Sequence, residues 1–166
     1  MMRAMTRSVD ETRGLGAAIA EITQPNDVLL LTGDLGAGKT SLVQGLGSAL
    51  GVGDRITSPS FTLAREYQGR LKLNHLDVYR LEQMDEVIDL GLPELIDEES
   101  VTVIEWGDAI VSALPPDYLE IRILLGEGDD DRIFEINLVG PRWSARSRVL
   151  QVALETFAGD DGESPC

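Results

Sequence analysis

Residues 28–50 read VLLLTGDLGAGKTSLVQGLGSAL, and this stretch constrains the fold more than any other. Val28 to Thr32 is a short apolar run of buried-strand type. It breaks into a glycine-rich turn. Leu42, Val43, Leu46 and Leu50 then recur at helical spacing, and Gly51 supplies a stop. Gly33, four residues, then Gly38, Lys39 and Thr40 satisfy the phosphate-binding pattern G-x-x-x-x-G-K-[ST]. The chemistry requires this order. Glycines let the backbone enter φ > 0 and approach a ligand closely. The loop amides and the helix N-terminus then face the anion. Lys39 is expected to reach the β- and γ-phosphates, and the Thr40 hydroxyl to bind Mg²⁺. A chance glycine-rich turn is the alternative, but it explains neither the strand before the loop nor the helix after it.

The rest of the chain reads as elements around that unit. Asp10 followed by Arg13 to Ile22 has the pattern of a capped amphipathic helix. Leu71 to Leu76 and Val101 to Ile104 read as strands, and Glu82 to Leu90, Leu92 to Asp97 and Asp108 to Leu114 as short helices. Tyr118 to Leu125 and Arg132 to Val139 alternate around an acidic glycine turn, which predicts a β-hairpin. Trp143 to Phe157 reads as one C-terminal amphipathic helix. Parallel crossovers plus a hairpin give an α/β class: a three-layer P-loop NTPase fold with a mixed, mostly parallel sheet and a C-terminal β-hairpin. At 166 residues one domain is expected, spanning 1–157. The polar, acidic tail 158–166 is expected to be disordered.

Charge narrows the partners. The chain carries 14 basic and 29 acidic residues, a formal net charge of −15, so a broad nucleic-acid-binding face is not expected. The same surface repels ATP, which makes Lys39 and a divalent ion more necessary. The only cysteine is Cys166, which rules out a disulfide framework within the chain and suits a reducing compartment. There is no run of 18 apolar residues and no apolar stretch of signal-peptide length near Met1. The expectation is a cytoplasmic protein with no membrane partner.

Phosphate binding alone is not hydrolysis, which also needs a carboxylate near the metal and a group that places water. Glu105 closes the hydrophobic run VTVIE, in the manner of a Walker B acid but with Glu in place of Asp. Asp77 closes LKLNHLD. In an α/β sheet the ligand crevice lies at the C-terminal strand ends, so both acids are expected beside the P-loop. Thr57-Ser58-Pro59-Ser60 occupies the position of the γ-phosphate-sensing loop of P-loop GTPases, or else is an ordinary Ser-Pro turn. His75, the only histidine, is expected to be structural. Trp106 is either core filler or a wall of the nucleotide site.

GDLGAGKT, TSPSFTL, HLDVYRL and IEWGD, in this order and spacing, resemble the TsaE family of small bacterial P-loop ATPases, formerly YjeE. The similarity runs from about Thr12 to Val139. The resemblance implies an ATPase required for threonylcarbamoyl-adenosine modification of ANN-decoding tRNAs. It implies action on a complex of TsaB and TsaD, with tRNA met only through that complex. By the same resemblance, TsaD performs the transfer and ATP hydrolysis resets the complex. Carried over by position, Gly36, Ala37, Gly38, Lys39 and Thr40 bind phosphates, with Asp34 and Ser41 flanking them. Thr40 and Glu105 bind Mg²⁺, and Asp77 orients or deprotonates water. Lys39, Asp77 and Glu105 are thus the catalytic set. Thr12, Ser60, Trp106 and Arg132 complete the nucleotide contacts. Ser60 stands where SPTF is commoner in the family, and its hydroxyl is retained.

Rival readings remain at this point. A small-molecule kinase shares the loop but needs a substrate-phosphate site and an Arg-rich lid, where this chain has a hairpin and an acidic turn. A GTPase needs an N-K-x-D motif, which the chain lacks. A nucleotide-sensing adaptor without useful hydrolysis fits the same residues.

Overall fold

The computed structural model describes residues 1–33, 36–57, 64–77, 96, 99–105 and 114–159. Among the described residues seven strands form one sheet: β1 (Met2–Thr6), β2 (Val28–Gly33), β3 (Ala64–Tyr67), β4 (Lys72–Asp77), β5 (Ser100–Glu105), β6 (Tyr118–Leu125) and β7 (Arg132–Val139). Their order is β1-β7-β6-β2-β5-β4-β3. The mixed α/β sheet and the hairpin are as expected. Parallel pairing joins β6-β2-β5-β4 in the centre, while β1·β7, β6·β7 and β3·β4 are antiparallel, so the two kinds are equal in number. The expected predominance of parallel pairs holds only for that centre.

The central strands are continuous apolar runs because both of their faces are covered. Leu29, Leu31, Leu73 and Val103 share one core with the helices, whereas Val28, Leu30, Leu76 and Ile104, which alternate with them, are buried on the opposite face. The sheet is therefore a middle layer. The hairpin strands alternate instead; in β6, Leu119, Ile121 and Ile123 point inward.

Helix α1 (Val9–Ile22) starts one turn earlier than the sequence pattern suggests. Its N-cap is Ser8, whose Oγ accepts the Glu11 amide at 3.0 Å, and Asp10 lies inside the first turn. Helix α2 (Lys39–Ala49) packs directly on α1. The approach is close enough to require glycine. A Cβ on Gly45 would lie 1.9 Å from the Arg13 carbonyl oxygen, and one on Gly16 would lie 2.1 Å from that of Leu42. This contact holds α2, and with it the P-loop, against the first half of α1.

The C-terminal helix is not continuous. Helix α3 (Pro141–Ser144) ends at Ala145, α4 (Ser147–Leu154) follows, and a 3₁₀ turn spans Glu155–Phe157. The break sits at Arg146, with φ −97° and ψ 8°. Its guanidinium turns inward and makes a two-pronged pair with buried Asp27, at 2.6 and 2.8 Å. It also stacks 3.8 Å over the fully buried Trp143 ring. Periodicity alone does not register an arginine that is drawn into the core by a carboxylate 119 residues away. The helices expected at Glu82 to Leu90 and Asp108 to Leu114, and most of that at Leu92 to Asp97, lie outside the described residues. Among the described residues, no helix is long and apolar enough to cross a membrane.

Candidate nucleotide site

The loop between β2 and α2 has the backbone its glycines predict. Gly36 and Gly38 hold φ +80° and +104°, values that side-chain-bearing residues rarely adopt. Gly38 is the N-cap of α2 and supplies no side-chain oxygen. The first-turn amides of the helix therefore lack a side-chain cap, the condition under which an anion serves as the cap. A Cβ at Gly36 would meet nothing within 4 Å among the described residues.

Two cations border this cradle. Lys39, 7% exposed, folds back and donates from Nζ to the Gly33 carbonyl at 2.6 Å. Arg132, the first residue of β7, crosses to the loop. Its Nε donates to the Ala37 carbonyl at 2.8 Å and its Nη2 to that of Gly36 at 3.2 Å. Its Nη1 donates to the carbonyls of Asp129 and Asp131, both at 2.8 Å. One guanidinium thus fastens the acidic hairpin turn to the phosphate loop. Thr12 reaches the same place from α1. It is buried, its hydroxyl is 2.7 Å from that of Thr6, and its methyl lies 3.9 Å from the point a Gly38 Cβ would occupy.

The acids come from the neighbouring strands. β4 and β5 are parallel, with Asp77 and Glu105 as register partners, and Glu105 is in turn the partner of Leu31 on β2. All three therefore point to one face. It is the face on which α2 packs, since Leu31, Val103 and Leu73 share a core with Leu42 and Leu46. Both carboxylates are buried. His75 joins them unannounced: its Nε2 stands 3.3 Å from Glu105 Oε1.

The structure thus brings Thr12, Gly36, Ala37, Gly38, Lys39 and Arg132 together at the loop, with Thr40 and Ser41 on the first turn of α2. Asp77 and Glu105 stand side by side at the strand ends. Asp34, Ser60 and Trp106 lie outside the described residues. Of the TSPSF loop only Thr57 is described. Its amide donates to the Tyr67 hydroxyl at 3.3 Å, and the preceding Ile56 carbonyl accepts from Gln44 Nε2 at 2.9 Å. That segment is anchored on α2 and β3.

Among the described residues no three of His, Cys, Asp and Glu cluster as a self-contained metal cage. Among the same residues Glu105 Oε1 is nevertheless a buried oxygen without a hydrogen-bond partner. One carboxylate beside a phosphate cradle fits Mg²⁺, which keeps waters and shares substrate phosphates rather than filling a protein cage.

The family model described as "Threonylcarbamoyl adenosine biosynthesis protein TsaE" matches residues 6–133. The chain belongs to the TsaE family. Curated relatives named tRNA threonylcarbamoyladenosine biosynthesis protein TsaE agree along most of their length. The one from Treponema pallidum is 40% identical over 77% of this chain and 96% of its own. The one from Bacillus subtilis is 41% identical over 83% and 86%. The one from Streptomyces coelicolor is 40% identical over 80% and 93%. The crystal structure of Bacillus subtilis YdiB superposes with a TM-score of 0.75 at 36% identity, covering 91% of this chain and 94% of that one. A TsaE-family P-loop fold is consistent with nucleotide binding, and the matched stretch contains the whole cradle and Arg132.

Proposed function

We propose that this chain is the ATP-binding and ATP-hydrolysing subunit of tRNA threonylcarbamoylation, acting on a TsaB–TsaD complex in the cytoplasm. One observation carries the hydrolytic part: Asp77 and Glu105 lie in register at the strand ends, on the face of the P-loop helix. A bare phosphate-binding module has no need of two buried acids there. In this reading the loop amides, Lys39 and Thr40 hold the phosphates. Glu105 and Thr40 provide the oxygens for Mg²⁺, which when bound neutralises phosphate charge. Asp77 orients the attacking water or accepts its proton. Arg132 and Thr12 shape the loop, while Asp34, Ser41, Ser60 and Trp106 complete the nucleotide contacts. Residues 1–157 act as one domain.

The pathway role rests on the family relatives, which are named for threonylcarbamoyladenosine biosynthesis. The net charge of −15 argues that tRNA is met through the complex rather than on this chain's own surface. The test is multiple-turnover formation of modified tRNA by purified TsaB–TsaD, with and without this chain and ATP. The expected result is turnover that continues only when both are present. Turnover supported equally well with a non-hydrolysable ATP analogue would reduce the protein to a nucleotide-sensing adaptor.

A further inference from the structure

His75 is a buried histidine on the face of β4 that carries Asp77. It lies on β4, where its register partner is Val103, which places it diagonally across from Glu105 on the same face. His75 is 0% and Glu105 2% exposed. At 3.3 Å the two are within ion-pair distance, yet among the described residues neither ring nitrogen, nor Glu105 Oε1, has a hydrogen-bond partner. Leaving such buried atoms unpaired is costly, because each has given up water without gaining a partner. An apolar side chain would fill the position without that cost, as Leu73 and Leu76 do on the same strand. A histidine kept here is a poor core filler and a good neighbour for one particular carboxylate.

We propose that His75 is a positioning residue for Glu105. A small rotation that turns Nε2–H onto Oε1 across the 3.3 Å gap fixes the orientation of the carboxylate, while the second lone pair of that oxygen stays open to the divalent cation. Carboxylates that bind metals are themselves held by hydrogen bonds, and removing the holder weakens the metal roughly 10- to 100-fold. His75 touches neither nucleotide nor reacting atoms in this arrangement; it acts through Glu105. The inference rests on the reading of Glu105 as the metal-facing acid.

The experiment is titration of Mn²⁺, followed by electron paramagnetic resonance, into the full chain at saturating ADP. ADP affinity without metal is measured in parallel. His75→Ala and His75→Leu are expected to raise the Mn²⁺ Kd roughly tenfold while metal-free ADP affinity stays within twofold. His75→Gln is expected to recover most of the loss, because its carboxamide N–H also donates. In a Glu105→Ala background the His75 substitutions should add nothing. His75→Leu fills the space without a donor, so it serves if the alanine variant does not fold. Mn²⁺ affinity within twofold of wild type in either folded variant overturns the proposal. So does a glutamine variant no better than leucine, which would mark a packing role. An unchanged Mn²⁺ Kd in Glu105→Ala alone is a different result: it removes the metal assignment of Glu105 itself.

Discussion

Arg132 Nε donates to the carbonyl of Ala37 at 2.8 Å, across 95 residues of sequence. With the second bond, to Gly36, it holds the two central residues of the phosphate loop from the side of the hairpin. Hydrogen bonds made by a charged donor contribute about 1.5–3 kcal/mol each when partly buried. Arg132→Ala is therefore expected to weaken ADP binding about tenfold, through a loop no longer held in its cradle conformation. Arg132→Lys should recover little, since a point charge cannot span two carbonyls. Calorimetric titration of ADP decides it: unchanged affinity in the alanine variant would make the contact incidental.

Lys39 is held against the Gly33 carbonyl and lies among the loop atoms a phosphate would approach. Lys39→Ala removes the only lysine of the site and its balance of β- and γ-phosphate charge. Hydrolysis is expected to fall by on the order of 10²-fold or more, with the fold unchanged by circular dichroism. Wild-type turnover in the purified variant would sink the site assignment.

The two acids separate by role. Glu105→Ala should raise the Mg²⁺ concentration needed for half-maximal activity, since a metal-shell oxygen is lost. Asp77→Ala should lower turnover while ATP binding is largely kept. Steady-state kinetics at varied Mg²⁺ distinguish the two patterns. The opposite pattern would mean that the roles are exchanged.

Much of this was legible in the sequence, for a physical reason. Continuous apolar runs such as VLLLT and VTVI occur where both faces of a strand are buried, so β2 and β5 announce themselves. The edge strand β1 does not. Its inward residues are Ala4 and Thr6, too small or too polar to give a period-2 signal. That Asp77 and Glu105 stand side by side was also legible, because the C-terminal edge of a parallel sheet is one place. Which strands are neighbours is not written locally. The diagonal contact of His75 with Glu105 depends on β4 lying beside β5, and so was not legible. The Asp27–Arg146 pair was hidden for the same reason.

That pair carries its own prediction. Asp27 is buried, accepts both prongs of Arg146, and also receives the Gln24 amide at 2.6 Å. Breaking a buried pair by removing one partner costs about 3–5 kcal/mol when the other charge is left uncompensated; Arg142 Nη2, 3.3 Å from Asp27 Oδ1, keeps the cost toward the lower end of that range. Arg146→Ala should therefore lower Tm by roughly 10 °C and loosen the C-terminal helices from α1. ADP affinity should be unchanged, since the pair is not part of the cradle. A thermal melt of the variant that matches wild type would show the pair to be dispensable.

The last prediction concerns activation by partners. Hydrolysis of a phosphoanhydride needs positive charge on the transition state beyond one lysine and a metal. Arg132 is the arginine the structure places at the loop, and its guanidinium is engaged by four main-chain carbonyls. Arg55, Arg65, Arg70 and Arg80, which lie near the TSPSF loop and the Asp77 strand in sequence, fall in no recognisable finger motif. The chain's own supply of such charge is therefore small, and its net charge of −15 suits a basic partner face. Hydrolysis is expected to be slow for the protein alone and faster with TsaB–TsaD. Stimulation should decline as salt rises from about 0.05 to 0.5 M, where the screening length shortens to a few ångströms. Phosphate release, measured with and without the complex at both salt concentrations, gives the answer. Equal rates with and without the complex would leave an ATPase whose turnover owes nothing to its partners. Stimulation that is insensitive to salt would place the contact on apolar rather than charged surface.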